Sequence, residues 1–446
     1  MFPKEEHMKV DRYYDALQVT LRSNLDFHGT DGKYASHGWH PFPAKFPPQL
    51  PQFFIEQLSD VNDVICDPML GSGTTLVEAV RLSRRAVGCD IDPLARMIAK
   101  AKLTPINAMQ VLETGYSIVN AAKHDYEQNR DSLEKALSKR FDVQTGEFIN
   151  YWFLQEQQLE LLSLLQHIEA INQKVIQRFL KVIFSSTIIA KSGGVSLARD
   201  LAHTRPHKDA NKIPNSAFIE FGKRLERNLA DCIQGEFRGL FVDSKTAYSS
   251  EQPAFHIRAT SANKTGLSSE SVDLIVTSPP YANNAIDYMR AHKFSLVWFG
   301  WKITELSKIR SKYLGHTALS DIKNDNLPDQ CEKTLARLAV LDTKKALTLR
   351  RYFNEMAEVI REMQRILKKG KAAVIVVGTS NLRGMDVETQ KGLAAIGECV
   401  GFDLVGIGVR RLDRDKRMMP ARWGNKRHTK IEERMHEEYV IGMVKS

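Results

Sequence analysis

The strongest constraint on the fold is a strand, loop, helix and strand pattern over residues 63–102. The stretch DVICDPMLGSGTTLVEAVRLSRRAVGCDIDPLARMIAKAK begins with a short apolar run and breaks at a glycine-rich loop. It continues as an amphipathic helix, a second apolar run and a second helix. Strands and helices that alternate in this way build a mainly parallel sheet with helices on both faces. The pattern therefore predicts an α/β protein with a doubly wound, Rossmann-like sheet.

The pattern changes twice along the rest of the chain. Residues 1–104 hold the glycine loop and the first two predicted strands. Residues 105–250 contain long helical stretches, such as LQEQQLELLSLLQHIEAI, and few strand candidates. Residues 251–446 return to strands, among them AFHIRATS, KAAVIVVG, FDLVGIGVRRL and EEYVIGMVK. We therefore predict one sheet domain in two halves, separated by a helical insertion.

The glycine loop DPMLGSGTT narrows the class of ligand that the first half binds. Gly71 and Gly73 lack a Cβ, so the backbone can approach a ligand closely there. A P-loop requires Lys followed by Ser or Thr after its last glycine, but Thr74 follows Gly73. The dinucleotide fingerprint requires a third glycine, and Leu76 stands in its place. The remaining class is S-adenosylmethionine, a cation without phosphate groups.

Acidic residues near the loop support a nucleoside-type cofactor. An acid at the end of the second strand, about 20 residues after the glycines, is expected to hold ribose hydroxyls. Asp90 occupies that place and Asp92 follows it. Alone, such an acid is a solvated residue beside a tight turn. In combination with Asp67 and the glycines, it favours cofactor binding.

A second apolar run, VDLIVT, ends in Ser278, Pro279, Pro280 and Tyr281. Neither proline has an N–H group, so the strand must stop here. The prolines present a rigid carbonyl at the carboxyl end of the strand, and Ser278 adds a second oxygen beside it. These oxygens can accept both hydrogens of an exocyclic base amine, while the ring of Tyr281 stacks on the base. The motif predicts an amine oriented for direct attack on a sulfonium methyl group. The alternative is an ordinary proline turn.

At these residues the chain resembles the amino-methylating DNA methyltransferases, and specifically their cytosine-N4 branch. That family has a cofactor motif of the form D-P-F-x-G-S-G-T-T and a catalytic S/T-P-P-Y motif, and HPFPAKFPP is similar to its further cofactor motif. The resemblance covers residues 36–102 and 255–445. The matching residues are Lys45, Phe46, Asp67, Pro68, Gly71, Gly73, Thr74 and Asp90 for the cofactor, and Ser278, Pro279, Pro280 and Tyr281 for catalysis.

The resemblance implies methyl transfer from S-adenosylmethionine to a base amine in double-stranded DNA, in a restriction–modification or defence system with partner proteins. Residues 1–104 would be the cofactor-binding half, 251–446 the catalytic half, and 105–250 a candidate DNA-recognition region. Ser278 favours cytosine N4, since the adenine-N6 branch more often has Asp or Asn there. The chain departs from the family at Met69, where Phe is usual, and at Ser261 and Asn263, where an acid is expected to contact adenine.

Other chemistries were compared with the same motifs. Cytosine-C5 methylation uses a cysteine that follows a proline, and none of the five cysteines does so. Zinc deamination requires H-x-E with P-C-x-x-C, which is absent. Adenine-N6 methylation, methylation of an RNA base amine and a non-catalytic nucleic-acid-binding subunit stay open. The complete glycine loop and S-P-P-Y motif favour an active enzyme.

The charge of the chain points to a polyanionic partner. The net charge is +10, which attracts nucleic acid. Asn283 and Asn284 follow the catalytic motif, and their amides can read base edges. Arg414, Lys416 and Arg417 belong to a basic stretch, residues 410–430, that we predict to contact phosphates, although such runs are often plain solvated surface.

The sequence also bears on where the protein acts. The scattered cysteines form no CxxC pair, which favours a reducing compartment and no structural metal. No apolar run is long enough to cross a bilayer, and no export leader is visible. We predict a cytoplasmic, nucleoid-associated protein without a metal site.

Overall fold

The computed structural model describes residues 5–190, 194–199, 201, 206–233, 255–282, 287–315, 326–412 and 437–446. Within these residues the main sheet has seven strands. In chain order they are β1 (Val64–Asp67), β2 (Arg85–Cys89), β5 (Phe255–Arg258), β6 (Val272–Thr277), β7 (Leu367–Gly378), β10 (Phe402–Arg411) and β11 (Glu437–Lys445). Two short hairpins lie outside it, β3 (Ala198–Arg199) with β4 (His207–Lys208), and β8 (Asn381–Leu382) with β9 (Met385–Asp386).

The order of the strands across the main sheet is β10, β11, β7, β6, β1, β2, β5. Strands β5, β2, β1, β6 and β7 are parallel, and β11 runs antiparallel to both of its neighbours. From β1 the chain adds β2 and β5 on one side, then returns to place β6 and β7 on the other. The strand order therefore reverses between β1 and β6. In open α/β sheets ligands bind at such a reversal, beyond the carboxyl ends of the strands.

The helices surround this sheet and fill the segment between β2 and β5. They are α1 (Glu5–Arg22), α2 (Gln49–Leu58), α3 (Thr74–Arg81), α4 (Pro93–Leu103), α5 (Ala108–Gln128), α6 (Arg130–Arg140), α7 (Val143–Trp152), α8 (Gln155–Glu169), α9 (Lys174–Ile188), α10 (Ala217–Ile233), α11 (Met289–Leu296), α12 (Ile303–Arg310), α13 (Asp329–Leu341), α14 (Thr343–Ile366) and α15 (Thr389–Cys399), with a 3₁₀ turn at Ala35–Gly38. The predicted α/β class with a helical insertion is confirmed. In the described residues, no helix is both long and apolar enough to span a membrane.

The apolar run from Leu274 to Val276 in β6 is uninterrupted because both faces of the strand are covered there. Leu274 and Val276 belong to a core that also contains residues of α1, α2 and α3. Ile275 points to the opposite face, into a core with residues of α13, α14 and α15. A strand that is buried on both sides needs apolar residues at every position rather than at alternate ones.

The helical insertion shares one core with α4 and with the helix after the catalytic motif. Leu162 of α8, Phe179 of α9 and Phe221 of α10 are buried together with Phe294 of α11 and Trp298. Phe294 and Trp298, two of the aromatic residues that follow the S-P-P-Y motif, therefore serve packing. As a result the insertion supports α11, directly beside the catalytic half of the sheet.

Two local details differ from the sequence prediction. The segment predicted as a polar loop between Lys191 and Lys212 contains the β3–β4 hairpin. The helix expected to stop at Lys368, Lys369 and Gly370 ends earlier, at Ile366, and these residues lie within β7. Gly370 has φ +70°, and the pairing of β6 with β7 shifts register at this end of the strands. Gly370 therefore lies at a bulge in the strand and does not mark the end of a helix.

Candidate active site

The glycine loop lies at the carboxyl end of β1 and is fixed by the end of β2. The Leu70 N–H donates to the carbonyl of Cys89 at 3.0 Å, and the Gly71 N–H donates to Asp90 Oδ2 at 2.9 Å. Gly71 has φ +49° and Gly73 has φ +81°, a backbone region that side chains disfavour. A Cβ on Gly73 would lie 2.8 Å from the Cβ of Ala99 in α4. The loop therefore needs glycine for its conformation and for its contact with α4.

Asp90 stands between the glycine loop and the start of α4. Its Oδ2 accepts the Gly71 N–H, and its Oδ1 accepts the Asp92 N–H at 2.8 Å. Burial raises the pKa of Asp90 to about 7, with repulsion from Asp92 adding to it, although both backbone hydrogen bonds act in the opposite direction. A carboxylate has about four acceptor positions, so two stay available for a ligand such as a ribose diol.

Asp92, the second acid of this stretch, is committed to the protein itself. Its Oδ1 accepts N–H groups of Leu94 and Ala95 and caps α4. Its Oδ2 contacts His292 Nδ1 at 2.7 Å and accepts the hydroxyl of Tyr313 at 2.5 Å. Burial opposes ionisation, but His292 and these hydrogen bonds lower the pKa of Asp92 to about 2. This acid joins α4 to the catalytic half and is 4% exposed.

Asp67 connects the glycine loop to the catalytic strand. Its Oδ1 accepts the Thr277 hydroxyl at 2.6 Å and the Met69 N–H at 3.1 Å. The Thr75 hydroxyl adds a bond to the carbonyl of Val276 at 3.1 Å. Asp67 is 3% exposed, and burial raises its pKa to about 6. The contacts of Asp67 therefore set the distance between the two loops. Pro68 and Thr74, also predicted at the cofactor, are buried beside it.

The S-P-P-Y motif follows the last residue of β6, at the same edge of the sheet. A cleft there is lined by Ser278 to Tyr281 together with Ala44 and Tyr288. It is adjacent to the glycine loop because β1 and β6 are neighbours. The four predicted catalytic residues thus line one surface.

Tyr281 is anchored by a distant acid. Its hydroxyl donates to Glu438 Oε1 at 2.9 Å, and Glu438 Oε2 in turn pairs with Arg410 Nη1. Burial and the neighbouring Glu438 carboxylate raise the pKa of Tyr281 well above its usual range. Arg410 is 7% exposed. The sequence prediction had grouped Arg410 with residues that contact phosphates, and that assignment is wrong because this guanidinium neutralises a buried carboxylate in the sheet.

The segment HPFPAKFPP reaches the site through residues that the sequence reasoning did not select. The structure places Phe46 in the core against α2 and α3, and Lys45 Nζ donates to the His37 carbonyl at 2.6 Å. Phe42 approaches the glycine loop instead, where a Cβ on Gly71 would lie 3.4 Å from its Cε1. The ring of Phe42 also stacks on Tyr288, with centroids 5.1 Å apart.

The sequence carried different amounts of information about these additional residues. Phe42 and Ala44 lie in a segment that was already singled out, so only the choice within it was missed. Tyr288 belongs to the aromatic stretch after the catalytic motif. Glu438 is 157 residues from Tyr281, and no sequence pattern connects the two.

Some residues that the sequence analysis singled out are exposed or lie outside the described residues. Asn263 is exposed, and its amide donates to Glu358 Oε2 at 2.8 Å. The predicted nucleic-acid contacts that lie outside the described residues are Asn283, Asn284, Arg414, Lys416 and Arg417.

The chain is similar in sequence to known methyltransferases. Residues 7–101 match the family model N6_N4_Mtase, described as DNA methylase. The type II methyltransferase M.MvaI of Kocuria varians is 27% identical over 408 residues, which cover 86% of each chain. The type II methyltransferase M.AvaI of Nostoc sp. is 21% identical over 430 residues, covering 89% of this chain and 87% of the relative.

Two further similarities are weaker. The type II methyltransferase M.BsoBI of Geobacillus stearothermophilus is 20% identical over 385 residues, covering 81% of this chain and 72% of the relative. Among solved structures, an rRNA methyltransferase, aviRa from Streptomyces viridochromogenes, aligns over 96% of this chain and 92% of that chain at 11% identity, with a TM-score of 0.26. The chain is thus similar to the DNA methylases of this family model over residues 7–101, and to type II methyltransferases over most of its length.

Proposed function

We propose that this protein methylates the N4 amine of cytosine in double-stranded DNA, with S-adenosylmethionine as the methyl donor. The observation that carries the proposal is the meeting of three strand ends at one edge of the sheet. The glycine loop follows β1, Asp90 follows β2 and the S-P-P-Y motif follows β6, and the strand order reverses between β1 and β6. A cofactor loop and an amine-orienting motif are thereby adjacent.

The residues at the first two strand ends fit S-adenosylmethionine. Asp90 retains acceptor positions for ribose hydroxyls, and Gly71 has no side chain on the face toward Phe42. No lysine accompanies the loop to neutralise a phosphate, consistent with a cationic ligand. When bound, the cofactor supplies an electrophilic methyl group. To judge by their contacts in the described residues, five other predicted residues support the walls of this site and do not reach into it. They are Lys45, Phe46, Asp67, Pro68 and Thr74.

The residues at the third strand end fit a base amine. The Ser278 hydroxyl and a carbonyl of the proline pair accept the two amine hydrogens, and neither proline offers an N–H that competes for those acceptors. This directs the nitrogen lone pair away from the acceptors. The face of Tyr281 holds the base, and its hydroxyl is fixed by Glu438 at 2.9 Å. The protein thus accelerates transfer by positioning the amine and stabilising its developing positive charge.

The biological setting follows from the relatives. Full-length similarity to type II methyltransferases supports a role in a restriction–modification system, in the cytoplasm and on the nucleoid. A partner nuclease or defence protein would belong to the same system. Asn283 and Asn284 are proposed to read the base, and Arg414, Lys416 and Arg417 to contact phosphates. The helical insertion, residues 105–250, is proposed as a DNA-recognition region joined to the two sheet halves.

The product of the reaction tests the proposal. The protein is expressed in a host that lacks amino-methylating enzymes, and its DNA and RNA are digested to nucleosides and resolved by mass spectrometry. We expect N4-methylcytosine in the DNA, and its loss with Ser278→Ala. If N6-methyladenine is found instead, the target base is adenine and not cytosine. Methylation of RNA alone would exclude DNA as the substrate. DNA binding without any methylated nucleoside would indicate a non-catalytic subunit.

A further inference from the structure

A cluster of basic side chains lies beside the catalytic cleft and is organised by one acid. Asp287 Oδ2 contacts Arg310 Nε at 2.8 Å and Arg290 Nε at 3.1 Å. The Arg290 N–H also donates to the Asp287 carbonyl at 3.0 Å. The side chain of Asp287 is 16% exposed, whereas those of Arg290 and Arg310 are 30% and 41% exposed. The acid is therefore more covered than the two arginine side chains, which are partly exposed.

Lys293 adds a third positive charge to this cluster, one turn along α11. Burial lowers its pKa, and the Arg310 and Arg290 guanidinium groups lower it further, against the opposing effect of Asp287. At Lys293, the repulsion from the two arginines therefore outweighs the attraction of Asp287. A bound anion would relieve this repulsion, because it would add negative charge where the positive charges converge.

The helical insertion fixes the position of Lys293. Its Nζ lies 5.0 Å from the centroid of the Phe148 ring in α7. Phe148 packs edge-on against Phe294 of α11, with centroids 5.0 Å apart. A cation over an aromatic face is held in place without a carboxylate that would neutralise its charge. The insertion thereby shapes this side of the catalytic cleft.

The cluster is close to the place where the base to be methylated must enter. Asp287 directly precedes Tyr288, which lines the cleft together with Ser278 and Tyr281. An enzyme that acts on a base within a duplex rotates that nucleotide out of the stack. The rotated nucleotide stays attached to its two phosphates, which must then lie at the rim of the cleft.

We infer that Arg290, Lys293 and Arg310 bind the DNA phosphate next to the methylated base, with Asp287 orienting the two arginines; this rests on the proposed function. Arg310 directs Nε and Nη2 toward Asp287, and the hydrogens on its Nη1 are not used in that contact. A guanidinium held in this way donates to a phosphate oxygen in a fixed geometry. The contact positions the nucleotide without reading its base.

The salt dependence of DNA binding tests this site. The equilibrium constant for a duplex that the wild-type protein methylates is measured at several salt concentrations for wild type, Arg310→Gln and Lys293→Gln. The slope of log K against log salt falls by about 0.9 for each phosphate contact that is lost. We expect the salt slopes of Arg310→Gln and Lys293→Gln to be shallower than the wild-type slope by about 0.9. Arg310→Lys keeps the charge and should retain most of the slope.

Lys368→Gln is the matched control. Lys368 is 42% exposed and pairs with Asp273 at 2.8 Å, which is close to the exposure and pairing of Arg310. It lies at the beginning of β7, at the opposite edge of the sheet from the cleft. Removing it deletes the same charge and the same kind of ion pair, but we expect the slope to stay at the wild-type value. Unchanged cofactor affinity in all variants would show that they are folded.

An uncharged methylphosphonate that replaces the phosphate next to the target base shows whether the cluster contacts that phosphate. We expect it to weaken binding by wild type roughly tenfold, and to weaken binding by Arg310→Gln by much less, because that contact is already lost. Equal losses in both proteins, or a wild-type slope in Arg310→Gln and Lys293→Gln, would overturn the phosphate site. The salt slopes of DNA binding are measured without methyl transfer. A failure of the phosphate site can therefore be distinguished from a failure of the wild-type protein to methylate DNA.

Discussion

The two walls of the cleft are held in place in different ways. The glycine-loop wall depends on partners that are near in sequence, such as the bond from Gly71 to Asp90, 19 residues away. The catalytic wall depends on distant ones. Tyr281 is held by Glu438, 157 residues away, and Thr277 by Asp67, 210 residues away. The first wall is a local feature of one strand–helix–strand unit, and the second is assembled by the whole sheet.

This difference determines how each wall fails. A single residue can distort the glycine loop, because its left-handed glycines and their hydrogen bonds form one short segment. The catalytic wall has a rigid core in its two prolines, but its tyrosine is oriented by β11 and, through Arg410, by β10. Substitutions there should act in steps, according to how much of the ring and its anchor they remove.

The largest effect is expected from Gly71→Asp. The new side chain would occupy a residue with φ +49°, with its Cβ 3.4 Å from Phe42 and its charge beside Asp90. We expect the affinity for S-adenosylmethionine to fall roughly a hundredfold or more, since a displacement of about 1 Å in such a site has effects of that size. Isothermal calorimetry measures it.

Gly29→Asp separates backbone strain from the effect on the site. Gly29 has φ +73° and nothing within 4 Å of the position of a Cβ, so the same substitution meets the same backbone conformation in open space. We expect normal cofactor affinity in this variant. Equal affinity in Gly71→Asp and wild type would mean that the loop does not hold the cofactor.

A graded effect is expected from two substitutions of Tyr281. Tyr281→Ala removes the ring that we propose stacks on the base and should cost roughly 1–3 kcal/mol of DNA binding. Tyr281→Phe keeps the ring and removes only the hydroxyl that donates to Glu438, so it should cost about 1 kcal/mol or less. Equilibrium binding to an unmethylated duplex that the wild-type protein methylates would measure both losses. If the two variants lose equally, the anchored hydroxyl rather than the stacking face is the important feature.

A further expected effect is a pH dependence of stability that originates in the glycine-loop wall. The pKa of Asp90 is raised to about 7 in the folded protein, against about 3.9 in an unfolded chain. The folded state thus binds a proton that the unfolded state releases. The stability from this group is complete below about pH 4 and is lost as the pH rises through about 7.

Urea unfolding at pH 5 and pH 8 measures this contribution. We expect the free energy of unfolding to decrease between the two values in wild type, and to decrease less in Asp90→Asn, which cannot ionise. Asp67, with a pKa of about 6, contributes in the same direction and remains in both proteins. A wild-type protein that is more stable at pH 8, or an identical decrease in Asp90→Asn, would contradict the assignment to Asp90.

Much of the fold was predictable from local sequence. The apolar runs at β1, β2, β6, β7, β10 and β11 and the long helical stretches of the insertion all form the predicted elements. The β3–β4 hairpin was missed because its strands are two residues long, too short for any periodicity. The bulge at Gly370 was taken for the end of a helix, since a glycine after lysines signals both equally well.

The candidate site was predictable only in part. The two motifs identified the residues of the cleft, but they could not tell exposed residues from buried supports. Asp67 and Phe46 are buried, and Phe42 and Tyr288 are the rings beside the cleft. Residue type specifies what a side chain can do, and its neighbours in space decide which of those roles is open to it.

The sequence by itself determined the chemistry at each strand end: left-handed glycines after β1, an acid after β2, and rigid prolines after β6. Each is a property of a few consecutive residues and their backbone conformations. Only the tertiary structure decided that these ends meet at one edge, that Asp92 caps a helix while Asp90 keeps acceptors for a ligand, and that Glu438 and Arg410 anchor Tyr281. Those outcomes depend on the order of strands across the sheet, which brings together residues that are far apart in the chain.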